Sequence, residues 1–200
     1  MYSSCNAKLH EIGWHLASLQ VQQHPRCYAG DCCANRWELS FILPPIWNET
    51  KPVEVFDDEL KALLLRMHEI GEDAIGAGLA APQIGLLRQI AVISFVDDEW
   101  ISMINPEIVE YSEETEVGGE GCLSLEILLR EHHSVSVERS TRIKVRWQDE
   151  NGDWQEDEFL DMPARIVQHE VDHLNGILTI DRAAPADKRE ALKILRERLS

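Results

Sequence analysis

The spacing of hydrophobic and polar residues predicts a folded domain from about residue 40, with its first helix starting at Asp57 or Asp58. Either aspartate can cap the first turn, and the helical pattern continues through Ile70. Gly71 should weaken the helix beyond this point, because glycine has a low helix propensity. The hydrophobic stripe of this helix consists of Leu60, Leu63, Leu64 and Met67.

Several short strands are predicted after this helix. Residues 89–96 are largely apolar and β-branched, which is typical of a buried strand. Alternating apolar positions predict strands at residues 135–137 and 143–147, and Asn151-Gly152 predicts a hairpin turn into a strand at 154–160. Several antiparallel strands with few helices indicate an α+β fold.

The segment from Pro163 to Gly176 predicts a buried helix. Proline fits the first turn of a helix, and Gly176 fits a left-handed residue just past its end. Much of the helix circumference is hydrophobic, so the helix should lie in the interior. The hydrophobic residues are Ile166, Val167, Val171 and Leu174.

This buried helix carries the pattern H-E-x-x-H in His169, Glu170 and His173. Residues four apart lie on the same face of a helix, with their Cβ atoms about 6 Å apart. The spacing suits two imidazoles that bind one metal ion, with Glu170 beside them to accept a proton from a bound water. The same pattern also fits a core helix whose two histidines are satisfied by hydrogen bonds without a metal.

Two histidines need a third protein ligand, and the sequence offers two candidates. No histidine follows His173, so the longer metalloprotease pattern with a third histidine is absent. Glu190 would complete the His-His-Glu site of other zinc peptidases. Cys122 is the competing candidate, although a single cysteine among hydrophobic residues is usually a buried structural thiol.

Composition and charge narrow the classes of function. A formal net charge of −17 argues against broad electrostatic binding to nucleic acid or anionic membranes. The sequence has no apolar run of membrane-spanning length and does not start with a secretory signal pattern. The 5 cysteines do not describe a disulfide scaffold, so a reducing cytoplasm is expected. We interpret residues 1–39 as an extension of uncertain order and residues 40–200 as one catalytic domain.

Three segments, in order, resemble the signature motifs of the peptide deformylase family. They are GAGLAAPQIG from Gly76, EGCLS from Glu120 and QHEVDHLNG from Gln168, and the resemblance covers roughly residues 40–183. It implies a hydrolase that removes the N-formyl group from the initiator methionine of new polypeptides and releases formate. It also implies antiparallel β-sheets packed around the central HExxH helix, together with a C-terminal helix.

The resemblance further implies the roles of individual residues. Three ligands are expected to bind the metal ion: Cys122, His169 and His173. Glu170 is expected to act as the catalytic acid and base, and the Gln83 amide and the Leu123 backbone N–H to stabilise the oxyanion. Three residues are expected at the substrate: Gly78, Glu120 and Gly121.

The implied cofactor is one divalent metal ion, typically Fe²⁺ in this family, with Zn²⁺ or another divalent ion also able to bind. The implied substrates are N-formylmethionyl peptides. Residues 187–200 read as an amphipathic helix with five basic and three acidic residues, a local charge of +2. Since bacterial family members use their C-terminal helix at the ribosome, we expect this helix to dock on the ribosome. We also expect a monomer in the cytoplasm, without sequence-specific binding to nucleic acid and without membrane binding.

The chain departs from the family pattern after Ser124. Residues 125–133 lack the usual proline and form a segment a few residues longer, which bears on side-chain preference and activity. Two alternatives stay open, one from the choice of third ligand and one from this segment. One is a zinc peptidase of the His-His-Glu type, and the other is a relative that keeps the metal site but is catalytically impaired.

Overall fold

The computed structural model of the protein describes residues 48–95, 99–124 and 134–199, with side chains to residue 194. The predicted extension at residues 1–39 and the divergent segment 125–133 lie outside these ranges, so both interpretations stay predictions. Within the described ranges, no helix is long and apolar enough to cross a membrane.

The helices and strands follow one another in a mixed order along the chain. They are α1 (Asp58–Asp73), β1 (Gly78–Ala80), a 3₁₀ helix (Ala81–Ile84), β2 (Ile90–Ser94), β3 (Trp100–Tyr111), β4 (Thr115–Glu120), β5 (Val135–Ser140), β6 (Arg142–Gln148), β7 (Trp154–Leu160), α2 (Asp161–Leu174), α3 (Thr179–Arg182) and α4 (Pro185–Leu199).

All strand pairs of the two sheets are antiparallel. One sheet has five strands in the order β1-β2-β3-β6-β7, and β4 and β5 form a separate pair. α2 packs against strands of both sheets, including β1, β2 and β5. The arrangement confirms the α+β fold with antiparallel sheets around the HExxH helix, and α4 is the expected C-terminal helix. β1 is an edge strand, because its second side pairs with no strand in the described part of the chain.

α1 starts as predicted but continues past Gly71. The Asp57 carboxylate accepts a hydrogen bond from the Leu60 N–H at 2.9 Å, which is the predicted cap. The helix ends at Asp73, so the predicted end at Ile70 is wrong by three residues. The reason is packing: Gly71 is buried, and a Cβ atom there would overlap the indole ring of Trp100. The close approach of the ring stabilises the last turn despite the low helix propensity of glycine.

The 12-residue strand β3 is not predicted by the sequence patterns. Asn105-Pro106 interrupts its alternation, and Asn105 adopts a φ of 52°. The register with β6 shifts between Ile104 and Glu107, which is the signature of a bulge or irregularity. The Asn105 side chain accepts the Val53 N–H at 2.7 Å, so the irregularity is tied to the segment before α1. A strand can therefore pass through a proline that lacks an N–H donor.

α2 has the predicted boundaries and the predicted burial. Pro163 lies in its first turn, and Gly176, just past its end, has a φ of 72°. From Ala164 to Leu174 every residue except Ile166 is buried. A helix buried on nearly all sides holds its side chains in fixed positions, and it is this helix that carries the candidate metal ligands.

Candidate metal centre

Three candidate ligands from two parts of the chain converge at the centre of the domain. Cys122 follows the end of β4, while His169 and His173 lie one turn apart on α2. The Cys122 Sγ atom is 3.3 Å from Nε2 of His173, and the two histidine Nε2 atoms are 3.2 Å apart. All three donor atoms lie within 4.8 Å of one another, and all three residues are buried.

The spacing and chemistry of these donor atoms fit one divalent cation. Two nitrogen ligands bound to one tetrahedral ion lie about 3.4 Å apart, close to the separation found here. Two facing imidazole nitrogens need a shared proton or cation between them, because both cannot act as acceptors. Burial alone would raise the pKa of the Cys122 thiol, but His173 and His169 hold that pKa well below its usual value. The thiolate form, which binds metals, is therefore favoured.

Glu190, the alternative third ligand, does not belong to this group. It lies on α4 with an exposed side chain, 3.8 Å from the Lys193 ammonium. In the part of the chain that the structure describes, the one group able to hold a metal ion is the set of Cys122, His169 and His173. The fold therefore does not favour the His-His-Glu alternative.

A buried carboxylate orients the first histidine. The Nδ1 atom of His169 lies 3.0 Å from Oε2 of Glu120. Arg139 donates to both oxygen atoms of this carboxylate, to Oε1 at 2.9 Å and to Oε2 at 3.0 Å. Arg165 donates a further bond to Glu120 Oε1 at 3.0 Å. Burial would raise the pKa of Glu120, but the hydrogen bonds from His169 and Arg139 lower it to about 2. An ionised Glu120 directs the Nε2 atom of His169 toward the other two ligands.

Glu120, a residue expected at the substrate, contacts protein side chains in the described part of the chain. Both of its oxygen atoms already accept hydrogen bonds from protein side chains, and the residue is only 5% exposed. These contacts favour a positioning role. Buried charges are usually paired, and here the partners of the carboxylate are two arginines and one histidine.

Charged residues around Glu120 extend this network, and sequence reasoning missed them. Arg139 also donates to the Asp172 carboxylate, which receives two further hydrogen bonds from Arg182, at 2.8 and 3.2 Å. The available signal was the presence of Arg165 and Asp172 on a helix predicted to lie in the interior, because buried charges must be paired. Their partners on β4, β5 and α3 come from tertiary structure and have no local sequence signal.

Gln83 directs its amide group toward the candidate ligands. It lies in the 3₁₀ helix after β1, and its Oε1 accepts the Ala80 N–H at 2.7 Å. That bond turns the Nε2 donor toward Ser124 Oγ, at 3.3 Å, and toward Cys122 Sγ, at 4.0 Å. The side chain is buried, so a fixed N–H donor faces the centre.

Glu170 lies beside the ligands with part of its carboxylate unpartnered. Its Oε2 atom is buried and has no hydrogen-bond partner among the described residues. Burial raises the pKa of Glu170, and the charges of His169 and His173 offset only part of that effect. The backbone of Gly78 lies directly against it, since a Cβ atom on Gly78 would be 2.5 Å from Glu170 Oε1. A carboxylate with a raised pKa and a free oxygen is suited to proton transfer.

The first and second sequence motifs also meet at this point. Gly121 is exposed and Leu123 is half-buried, on either side of Cys122. A Cβ atom on Gly76 would lie 3.1 Å from Cδ1 of Leu123, so the two motifs are in contact. The three segments singled out in the sequence thus surround one buried group of potential ligands.

Comparisons with known proteins relate the whole domain to one family. A family model described as polypeptide deformylase matches residues 43–189. The peptide deformylase of Thermotoga neapolitana is 44% identical over 156 residues, which cover 78% of this chain and 89% of that protein.

Solved structures give the same relationship. The crystal structure of peptide deformylase from Thermotoga maritima is 44% identical with a TM-score of 0.66, covering 71% of this chain and 92% of that chain. That of Arabidopsis thaliana peptide deformylase 1B in complex with an inhibitor has a TM-score of 0.71 at 31% identity, covering 77% of this chain and 84% of that chain.

Proposed function

The chain belongs to the polypeptide deformylase family, and from this membership we propose that Cys122, His169 and His173 bind its metal ion. Members of the family are metal-dependent hydrolases that remove the N-formyl group from nascent peptides. The observation that supports the assignment is the convergence of one thiolate and two imidazoles, from two separate elements, into a single buried group.

The proposed ion is Fe²⁺, with Zn²⁺ as the second candidate. When bound, the divalent ion acidifies a water molecule and polarises the formyl oxygen. The Cys122 thiolate would donate charge to the ion, so the pKa of the water would be lowered less than in a site of three histidines. Removal of the proton from the water therefore depends more strongly on Glu170.

Glu170 is the proposed acid and base of the reaction. Its raised pKa makes the carboxylate a stronger base, and its free Oε2 is available to accept a proton from the water. The same group then donates that proton to the departing amine of the methionine. Because Gly78 has no side chain, its backbone lies directly against this carboxylate, so a substrate backbone bound at Gly78 would lie close to Glu170.

The Gln83 amide and the Leu123 backbone N–H are the proposed oxyanion donors. The bond from Ala80 to Oε1 fixes the orientation of the Gln83 amide, so its donor does not need to reorganise during the reaction. Loss of one such donor typically costs about 3 kcal/mol of transition-state stabilisation.

The N-terminal half of α2 offers an apolar surface for the methionine side chain. Met162 and Ile166 lie seven and three residues before His169, and therefore on the same face of the helix. Met162 is 59% exposed although it is hydrophobic, and Ile166 is partly buried. Gly121, exposed beside Cys122, is the proposed second contact for the substrate backbone, after Gly78.

The direct test is formate release from formyl-Met-Ala-Ser by anaerobically purified protein whose metal content has been measured. We expect release by the metal-loaded wild type and a loss of about 100-fold or more in Glu170→Gln with the metal retained. Cys122→Ser should lose tight metal binding, whereas the His-His-Glu alternative predicts that the metal remains. Glu158→Gln, which changes an exposed carboxylate on β7, is the matched control. No formate release with metal bound would indicate a catalytically impaired relative.

We also propose that α4 docks the enzyme on the ribosome. The helix is attached to the domain by Asp187, which accepts the Ser136 N–H at 2.6 Å, and by the buried Ala191. Its basic residues contrast with an overall charge of −17 and suit a phosphate-rich surface. Deletion of residues 187–200 should abolish co-sedimentation with ribosomes, and unchanged co-sedimentation would contradict the proposal.

We further propose that the protein is a monomer and is located in the cytoplasm. A ferrous–thiolate site is sensitive to oxidation, which suits a reducing compartment. Sedimentation equilibrium should give the mass of one chain, and fractionation of cells should recover the protein with the cytoplasmic marker. A dimer mass or recovery in another fraction would contradict these two points.

A further inference from the structure

Ile75, in the turn between α1 and β1, combines two unfavourable features. Its side chain is 95% exposed, and its φ of 55° lies in the left-handed region. A β-branched residue is strained there, because its Cβ approaches the neighbouring carbonyl. An exposed isoleucine also gains no burial energy from the fold that could offset the strain.

The hydrogen bonds of the turn explain the backbone conformation but not the side chain. The Gly76 N–H donates to the Gly71 carbonyl at 3.0 Å, and the Ile75 N–H donates to the Glu72 carbonyl at 2.9 Å. This is the pattern with which a helix ends on a left-handed residue, and glycine is the usual residue at that position. The turn would form more readily with glycine, so the turn itself does not require isoleucine.

The turn lies at the edge of the proposed active site. A Cβ atom on Gly76 would lie 3.1 Å from the Leu123 side chain, and one on Gly78 would lie 2.5 Å from Glu170. Ile75 precedes Gly78 by three residues, so the two positions are at most about 10 Å apart. An extended peptide with its formyl group beside Glu170 would span the same distance with about three residues.

The burial of the chain around β1 determines the direction in which such a peptide can leave. Residues from Leu79 to Gln83 are buried, whereas Ile75 and Ala77 are exposed. β1 has one edge that pairs with no strand in the described residues, and an extended peptide can add to such an edge. Of the two directions along β1, a peptide that starts beside Glu170 can follow the one toward Ile75, because the opposite direction enters the core.

We propose that Ile75 contacts the side chain of the third or fourth residue of the formylated peptide and makes the enzyme prefer a hydrophobic residue there. The inference rests on the proposed function, since it takes Glu170 as the position of the formyl group. The isoleucine becomes buried only when a substrate covers it. The free energy gained when the substrate buries Ile75 explains an exposed isoleucine that does not stabilise the free protein.

The test compares kcat/KM for three C-terminally amidated peptides: formyl-Met-Ala-Ser-Ser, formyl-Met-Ala-Leu-Ser and formyl-Met-Ala-Ser-Leu. One of the two leucine peptides should be preferred over the serine peptide by about fivefold, mainly through a lower KM. Ile75→Asn should reduce this ratio to about one, and asparagine tolerates the left-handed backbone. Ile75→Leu should retain the preference. Leu65→Gln, at an exposed hydrophobic residue ten positions earlier on α1, should also retain it.

The outcomes separate this inference from the proposed function. Equal kcat/KM values for all three peptides in the wild type, or a preference that survives in Ile75→Asn, would overturn the role of Ile75 and leave the deformylase reaction intact. Absence of formate from every peptide, with metal bound to the wild type, would overturn the proposed function itself. Thermal unfolding of Ile75→Asn should show a melting temperature no lower than that of the wild type, so a change in the ratio reports substrate contact.

Discussion

Gly78→Ala should inactivate the enzyme while leaving its fold and its metal site in place. The new Cβ atom would lie 2.5 Å from Glu170 Oε1 and 2.9 Å from the Glu170 Cδ and Cγ atoms. Because ordinary contacts start near 3.4 Å, the carboxylate has to move by about 1 Å. The three atoms nearest to the new Cβ all belong to Glu170 and none to a proposed metal ligand, so metal binding should persist.

The size of the effect follows from the displacement. A catalytic group misplaced by about 1 Å can lose about 100-fold in rate, which corresponds to about 2.7 kcal/mol of transition-state free energy. The free energy of unfolding should change less than this, because a side-chain end can move more easily than backbone. The assay is kcat/KM for formate release from formyl-Met-Ala-Ser, with metal content and thermal unfolding measured on the same samples.

A matched control and a double mutant make this prediction refutable. Gly119→Ala introduces the same 2.5 Å contact, but with the Ser134 hydroxyl, and should change kcat/KM by less than about threefold. In a Glu170→Gln background, Gly78→Ala should have little further effect, since both changes act on one group. Full activity of Gly78→Ala, or strictly additive losses in the double mutant, would refute the reasoning.

Three further predictions concern stability. Folding lowers the pKa of Glu120 from 4.5 to about 2. The ionised carboxylate therefore stabilises the metal-free protein above pH 4.5 by about 3 kcal/mol, and this stabilisation is lost as the pH falls toward 2. Glu120→Gln should remove this acid dependence in urea unfolding between pH 5 and 2 and weaken metal binding through His169; an unchanged pH slope would contradict the ion-pair network. Gly71→Ala should destabilise the protein by roughly 1–3 kcal/mol despite the better helix propensity of alanine, because Trp100 occupies the space, and increased thermal stability would contradict that packing. Asp161→Gly should stabilise it by about 1 kcal/mol, because Asp161 has a φ of 50°, and a lower melting temperature would show that the aspartate side chain makes a compensating contact.

Features that depend on local chemistry could be predicted from the sequence. Pro163 and Gly176 define the limits of α2, and helical spacing places His169 and His173 on one face. Asp57 caps α1 as expected. In each case the decisive interaction joins residues only a few positions apart, so the sequence contains the whole signal.

Features that depend on tertiary partners could not be predicted in this way. The residues themselves left Glu190 and Cys122 as alternative ligands, and only the resemblance to a family favoured the cysteine, 47 positions before His169. From the sequence, Gly71 is expected to weaken the helix, and only the structure shows that Trp100 packs on it. Similarly, the contacts of Glu120 come from two other elements, β5 and α2, and no local sequence pattern predicts them.

The most direct test of the central claim is X-ray absorption at the metal edge of the zinc-loaded protein. The proposed ligand set predicts one sulfur atom at about 2.3 Å and two imidazole nitrogens at about 2.0–2.1 Å from the ion. A metal shell without sulfur, with Cys122 intact and reduced, would contradict the assignment of Cys122, His169 and His173 as the site of catalysis.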